Sequence, residues 1–154
     1  FALMDSIGVE HEKIIDAFKS FKGIMRRMEY LGENIYTDYA HHPEEVKSVL
    51  KTISRVSNKI KIIFEPHRLS RFRDELENFC KVFKDVIITD VFEASEGLDI
   101  LQGPLLEEFC KRTNSTYIPL EEIEDYLKTE KRKVLAMGAG SLDQKLRNFV
   151  KRDS

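Results

Sequence analysis

Two short segments carry side chains whose types and spacing could do chemistry. The first, residues 36 to 43, contains Asp38, Tyr39, His41 and His42 directly before a proline. Acid and imidazole groups this close together are the usual parts of metal sites and of acid–base pairs. A metal site is disfavoured, because adjacent histidine side chains diverge and zinc needs a third protein ligand. An Asp38–His41 acid–base pair lacks a nearby nucleophile, and a plain strand-to-helix turn with His42 as the cap stays an alternative.

The second segment holds two arginines at the start of a predicted helix. Arg68 and Arg71 are three positions apart, so their guanidinium groups can converge on one face. Such a pair at a helix N-terminus suits a carboxylate or phosphate, which arginine binds through two parallel hydrogen bonds. The alternative is a solvated face with ion pairs from Arg71 to Asp74 and from Arg73 to Glu77, and we expect that role for Arg73.

A glycine-rich segment near the end of the chain matches a dinucleotide-binding turn only in part. Gly138 and Gly140 follow a predicted strand and open a predicted helix, but Asp143 stands where G-x-G-x-x-G needs a third glycine. Too little chain follows for the ribose-binding acid, which lies about 20 residues further on in that motif. We therefore expect a tight turn lining a ligand pocket, with Ser141 and Gln144 as a capping box.

Alternating strands and helices must position these segments. A helix is predicted over 9–21 with Ile14, Ile15, Phe18 and Phe21 on one face, and a hairpin over 27–39 turns at Gly32, Glu33 and Asn34. The other predicted strands are 59–64, 85–92, 115–120 and 131–138, and the other predicted helices start at Pro43 and cover 68–83, 104–112, 121–128 and 141–152. Apolar residues mark the core faces of the first two of these helices: Val46, Val49, Leu50 and Ile53, then Leu69, Phe72, Leu76, Phe79 and Phe83.

This alternation is typical of βαβ units. We expect an α/β fold, a Rossmann-like and mostly parallel sheet with helices on both faces and a short antiparallel hairpin near the start. Ligands bind open sheets of this kind beyond the carboxyl ends of the strands. The loops to inspect are therefore 39–43, 65–71, 89–97 and 137–141.

Composition excludes several classes of protein. Of 154 residues, 42% are hydrophobic, which suffices for the core of one domain, and 25 Lys and Arg nearly balance 27 Asp and Glu. This balance gives no general attraction to nucleic acid or to an anionic membrane, and no apolar run could span a bilayer. Cys80 and Cys110 lie among apolar neighbours, so we expect buried free thiols in a cytoplasmic protein. Because Phe1 is not an initiator methionine, we also expect one domain of a longer chain.

Taken in order, six segments resemble the C-terminal domain of the Mur ligases: FKGIMRR, MEYLGE, TDYAHHPEEV, EPHRLSRFRDELENF, DVFEASE and MGAGS. The spacing of HHPxE and PHRxxR is similar to that of the members that add L-alanine to UDP-N-acetylmuramate. The resemblance implies a peptidoglycan-synthesis ligase in which ATP, with Mg²⁺, phosphorylates the muramyl carboxylate and the amine of alanine attacks the acyl phosphate.

The resemblance also implies a division of the chain. Residues 1–22 would end the preceding central ATPase domain or form a linker helix, and 23–154 would be the amino-acid-binding, closing domain. The chain has no GxxxxGK[ST] phosphate loop, so ATP and Mg²⁺ would be held mainly by the central domain. We therefore expect this domain alone to be inactive, with no catalytic residue and no metal ligand of its own, and to work with the central and N-terminal domains.

Carried over position by position, the resemblance assigns roles to six residues. Arg27 would reach the nucleotide and Asp38 its ribose. The amino-acid end of the cleft would be lined by Tyr39 and His41, with the alanine carboxylate held by Arg68 and Arg71. Thr37 departs from the family pattern, which commonly has an acid there, and Met25 replaces a common glycine. The alternative is a stand-alone Rossmann-like module that binds a phosphorylated or nucleotide ligand.

Overall fold

The computed structural model of the protein describes residues 2–20, 24–55, 59–93 and 102–152. The strands are β1 Glu29–Gly32, β2 Ile35–Asp38, β3 Ile60–Phe64, β4 Ile87–Ile88, β5 Thr116–Tyr117 and β6 Lys133–Met137. The α-helices are α1 Ala2–Ser6, α2 His11–Ser20, α3 Pro43–Ser54, α4 Leu69–Asp74, α5 Leu76–Val82, α6 Gln102–Thr113, α7 Ile123–Thr129 and α8 Leu142–Arg152. A short 3₁₀ helix, Leu120–Glu122, precedes α7.

The six strands form one sheet in the order β1-β2-β6-β3-β4-β5. Only β1 and β2 pair antiparallel, and the other neighbours pair parallel. The hairpin turns at Glu33 and Asn34, whose φ angles of 47° and 61° are the two positive values that a type I′ turn requires. The predicted α/β fold, with a mostly parallel sheet and an early hairpin, is confirmed.

Helices cover both faces of the sheet because successive strand residues point to opposite sides. On one face, Ile62 and Phe64 of β3 pack with α3, α4, α5 and α6. On the other face, Ile63 packs with α7 and α8. The predicted apolar faces are confirmed in large part: Val46 and Ile53 are buried, as are Leu69, Phe72, Leu76, Phe79 and Phe83.

Several elements differ from their predictions. The helix expected over 68–83 is interrupted at Glu75, whose φ of −102° and ψ of 7° end α4 and begin α5. The expected strands 85–92 and 115–120 shrink to two residues each, because only those residues pair in a continuous ladder, and within 85–92 Phe92 adds one isolated bridge to His67. In α2, Ile14 of the predicted apolar face is buried, whereas Ile15 and Phe18 are 43% and 61% exposed. Phe21 lies outside the described residues.

Cys80 and Cys110 are free thiols, as expected, although each is half-buried rather than fully buried. Within the described ranges, no helix has the length and the apolar character needed to cross a bilayer.

Candidate functional site

Four strand ends meet at one edge of the sheet, which we call the carboxyl edge. Asp38 of β2 and Phe64 of β3 both pair with Met137 of β6, and Phe64 also pairs with Ile88 of β4. The loops that leave these strands therefore start side by side. They carry all of the residues predicted for ligand binding except Arg27, which lies in the loop before β1.

Asp38 holds that earlier loop in place. Its side chain is only 2% exposed, and its two oxygens accept the backbone N–H of Met28 at 3.0 Å and of Ala40 at 2.9 Å. The N–H of Tyr39 adds a 2.7 Å hydrogen bond to the carbonyl of Arg26. A residue predicted to contact a ribose thus lies inside the domain, where it joins the arginine loop to the end of β2.

The two arginines of the loop have different surroundings. Arg26 is half-buried, donates from Nη2 to the carbonyl of Gly138 at 2.7 Å, and lies 4.6 Å above the ring of Tyr39. Arg27 is exposed, with its guanidinium carbon 5.9 Å from the same ring. Arg26 is therefore part of the framework, whereas Arg27 presents its charge at the surface beside Tyr39.

A polar network behind this loop, buried at Thr37 and Asp143 and half-buried at its other members, was not predicted from the sequence. Asp143 accepts hydrogen bonds from the Thr37 hydroxyl at 2.9 Å and from Arg147 Nε at 2.9 Å. Arg147 also donates to Glu29 at 3.1 and 2.6 Å, and this contact, with the N–H of Arg26, lowers the pKa of Glu29. The i, i+4 spacing of Asp143 and Arg147 was the one available signal. The network also accounts for Thr37, because an acid there would face the carboxylate of Asp143.

The histidine segment begins α3, as the structural alternative proposed. His42 is the exposed N-cap residue, and Glu45 Oε2 accepts the backbone N–H of His41 at 3.1 Å and of His42 at 3.3 Å. The Tyr39 and His41 rings meet edge to face with centroids 5.1 Å apart. Within the part of the chain that the structure describes, no three His, Cys, Asp or Glu residues are grouped to hold a metal ion.

The arginines of the second segment lie at the start of α4. Arg68 is its exposed N-cap residue, with a φ of 65°, and Arg71 is half-buried. The Nη1 atom of Arg71 is fully buried and has no hydrogen-bond partner among the described residues. Because α4 has only six residues, its dipole adds little, and charge for an anion would come from the guanidinium groups.

The alternative prediction, in which these arginines form surface ion pairs, is wrong in its partners. Arg73 is exposed, as expected, but it contacts Asp74 at 3.2 Å and not Glu77. Glu77 contacts Arg112 and Lys81 instead. No ion pair joins Arg71 to Asp74 in the described chain, so the side chain of Arg71 is not committed to a surface pair.

The glycine-rich segment surrounds a second buried acid, Glu65. Its carboxylate accepts the N–H and the hydroxyl of Ser141 at 3.1 and 3.0 Å and the N–H of Leu142 at 3.1 Å. Burial raises the pKa of Glu65, although these hydrogen bonds act in the opposite direction. The expected capping box is replaced, since Ser141 donates to Glu65 and the Gln144 amide donates to Asn148.

Comparison with known proteins agrees with this architecture. Residues 26–140 match the family described as Mur ligase, glutamate ligase domain. The UDP-N-acetylmuramate–L-alanine ligases of Hydrogenobaculum and Desulfitobacterium hafniense are 38% and 34% identical, over 93% and 92% of this chain. The chain spans 34% and 35% of those two proteins.

Solved structures give the same result. The UDP-N-acetylmuramate–alanine ligase of Thermotoga maritima superposes with a TM-score of 0.72 at 28% identity, covering 99% of this chain and 35% of that protein. A folylpolyglutamate synthase from the same organism, at 18% identity and a TM-score of 0.66, shares the fold over 97% of this chain and 35% of its own. Because the family match covers most of the chain, the protein belongs to the Mur ligases, through their glutamate ligase domain.

Proposed function

We propose that this chain is the C-terminal, amino-acid-binding domain of an ATP-dependent ligase that joins L-alanine to UDP-N-acetylmuramate in cytoplasmic peptidoglycan synthesis. The names of the relatives support this substrate pair. The observation on this chain that carries the proposal is the buried Nη1 of Arg71, which lacks a partner among the described residues. A buried cationic donor without a partner is costly, and an anionic ligand would satisfy it.

In this proposal, Arg68 and Arg71 hold the carboxylate of alanine. Fixing that end leaves the amine as the free nucleophile and directs it toward the activated muramyl carboxyl. Tyr39 and His41 line the same site, and their rings, with centroids 5.1 Å apart, form one side of it. Attack of the amine on the acyl phosphate forms the amide and releases phosphate, and fixed positive charge stabilises the oxyanion that forms in between.

The nucleotide lies, in this proposal, on the side of Arg27. ATP supplies the phosphoryl group that activates the carboxylate, and the exposed charge of Arg27 suits its phosphates. The ribose contact of Asp38 stays a prediction. Its 2% exposure and two backbone hydrogen bonds favour a role in holding the loop of Arg27. Mg²⁺ would be held mainly by the central domain of the ligase, as the resemblance to the Mur ligases implies.

We further propose that residues 1–22 belong to the preceding central domain or to a linker, and that 23–154 form the domain itself. The family match begins at residue 26, close to this boundary. The exposed Ile15 and Phe18 of α2 support the division, because an apolar helix face of this kind packs on another part of a protein.

Phosphate release by the full-length ligase, with UDP-N-acetylmuramate and ATP, tests the proposal across L-alanine, glycine and L-serine. We expect release to depend on L-alanine, and we expect the 154-residue chain to release none. Turnover by the 154-residue chain alone would contradict the assignment of a non-catalytic domain. Release by the full-length ligase without amino-acid dependence would contradict the assignment of an amino-acid-binding domain.

A further inference from the structure

Phe92 lies where the loops of the carboxyl edge meet. Its backbone N–H donates to the carbonyl of Pro66 at 2.8 Å, and its carbonyl accepts the N–H of Arg68 at 2.8 Å. Between these two hydrogen bonds, Phe92 and His67 form an isolated parallel bridge beyond the ends of β3 and β4. The main chain of Phe92 therefore fixes the segment that leads into Arg68.

This fixation matters because the backbone of Arg68 is unusual. Its φ of 65° and ψ of 126° lie in a region that residues with a side chain rarely adopt. Such a conformation persists only where the surroundings determine it. Here the N–H of Arg68 is bound by Phe92, and its carbonyl accepts the N–H of Phe72 at 3.0 Å. The direction in which Arg68 leaves the loop is thus set from both sides.

The ring of Phe92 begins a series of contacts between aromatic rings. It stacks on the His67 ring with centroids 5.5 Å apart and planes inclined by 25°. The His67 ring in turn meets the His41 ring at 5.3 Å, and His41 meets Tyr39. Four rings therefore run in contact from Phe92 to the proposed amino-acid site.

Gly140 leaves the space in which the Phe92 ring lies. A Cβ atom at Gly140 would lie 2.4 Å from Cγ of Phe92 and 2.6 Å from its Cβ. Without a side chain at that position, the ring can lie between Gly140 and His67. The ring is half-buried and also lines a cleft of about 280 Å³ that Glu65 and Ser141 border. The second glycine of the glycine-rich segment thus serves the packing of an aromatic ring.

We propose that Phe92 is a positioning residue of the amino-acid site. Its main chain holds Arg68 in the conformation that aims the guanidinium group, and its ring holds His67 and, through it, His41. The inference rests on the proposed function for the identity of the site, but the ring contacts do not depend on that function. Every substitution other than proline keeps the main-chain donor and acceptor, so the role of the ring can be tested alone.

The kinetic test compares Phe92→Leu and Phe92→Tyr in the full-length ligase. Leucine keeps an apolar side chain but removes the flat ring, so we expect KM for alanine to rise roughly ten- to a hundredfold, as displaced binding groups cause. KM for ATP and for UDP-N-acetylmuramate should stay unchanged, and Phe92→Tyr should restore KM for alanine. Phe149→Leu, in the core on the other face, is the matched control that lowers stability without raising KM for alanine.

A second measurement separates this inference from the proposed function. In the 154-residue chain, the imidazole proton resonances of His67 should move in Phe92→Leu because the ring current of the stacked ring is lost. Those of His41 should move because its contact with the His67 ring changes, and both sets should return in Phe92→Tyr. An unchanged KM for alanine in an alanine-dependent enzyme would overturn the inference and leave the function standing. If the wild-type ligase does not use alanine, the resonances decide, and an unmoved His41 would overturn the inference.

Discussion

Arg147 of α8 donates two hydrogen bonds, of 3.1 and 2.6 Å, to the carboxylate of Glu29 in β1. The same guanidinium group contacts Asp143, which also accepts the hydroxyl of Thr37 in β2. The last helix is thereby joined to the first hairpin, which begins directly after the loop of Arg27. Side chains that are 118 residues apart in sequence therefore fix the position of a proposed ligand contact.

Removing this arginine should weaken the fold. Arg147→Ala takes away hydrogen bonds to two carboxylates and leaves the nearly buried Asp143 with the Thr37 hydroxyl but without its hydrogen-bonded arginine, so we expect the free energy of unfolding to fall by about 1.5 to 3 kcal/mol. Urea denaturation measures the change. Arg152→Ala is the control, since Arg152 is 65% exposed and pairs with Glu124, and an exposed pair contributes at most about 1 kcal/mol. Equal losses in the two variants would contradict the role of the network.

Glu65 should make stability depend on pH. Burial raises its pKa above the ordinary 4.5, so the folded state binds the proton more strongly than the unfolded state. The stabilisation from that proton is complete below pH 4.5 and is lost as pH rises through the folded pKa. Glu65→Gln removes the titration, so the melting temperature of the variant should rise relative to wild type as pH increases from 4.5 through the folded pKa of Glu65.

Thermal unfolding over that pH range checks the prediction. Glu107→Gln, on the exposed face of α6, is the matched control for the loss of one carboxylate. A difference between wild type and Glu65→Gln that stays constant with pH would show that burial of Glu65 does not govern its protonation.

Gly140 should tolerate no side chain. In Gly140→Ala the new methyl group meets the Phe92 ring and lies 2.6 Å from Oε2 of Glu65, so we expect a loss of about 1 to 3 kcal/mol from overpacking. Gly103→Ala is the control, because nothing lies within 4 Å of a Cβ there, and alanine in a helix should add up to about 1 kcal/mol. Removing the ring in Phe92→Ala should make the Gly140→Ala change less costly, and purely additive losses would argue against the contact.

Local sequence patterns predicted the helices whose apolar residues lie on one face. The apolar spacing of Phe72, Leu76 and Phe79 placed α4 and α5 correctly on the sheet, and Pro43 marked the start of α3. The break at Glu75 escaped prediction because the apolar spacing continues through it. Ile15 and Phe18 show a second limit of prediction from sequence. An apolar helix face does not reveal which surface will cover it.

The residues of the candidate site were likewise predicted only in part. Family motifs placed Tyr39, His41, Arg68 and Arg71 at one edge of the sheet, where the structure also has them. Glu65 and Phe92 were missed, because their partners come from other strands and no local spacing connects them. Asp38 was predicted to contact the nucleotide ribose, which stays a prediction, and its burial with hydrogen bonds from Met28 and Ala40 is a feature that the sequence pattern does not encode.

The most direct test of the central claim is KM for alanine in Arg71→Ala and Arg73→Ala forms of the full-length ligase. Arg71 has a buried donor without a partner among the described residues, whereas Arg73 is an exposed arginine two positions further on that contacts Asp74. Losing a charge-assisted hydrogen bond to a ligand costs about 1.5 to 3 kcal/mol, so KM for alanine should rise about ten- to a hundredfold in Arg71→Ala. Arg73→Ala should keep the wild-type value, and neither change should lower the melting temperature appreciably. An unaltered dependence on alanine in Arg71→Ala would contradict the assignment of this domain as the holder of the amino-acid carboxylate.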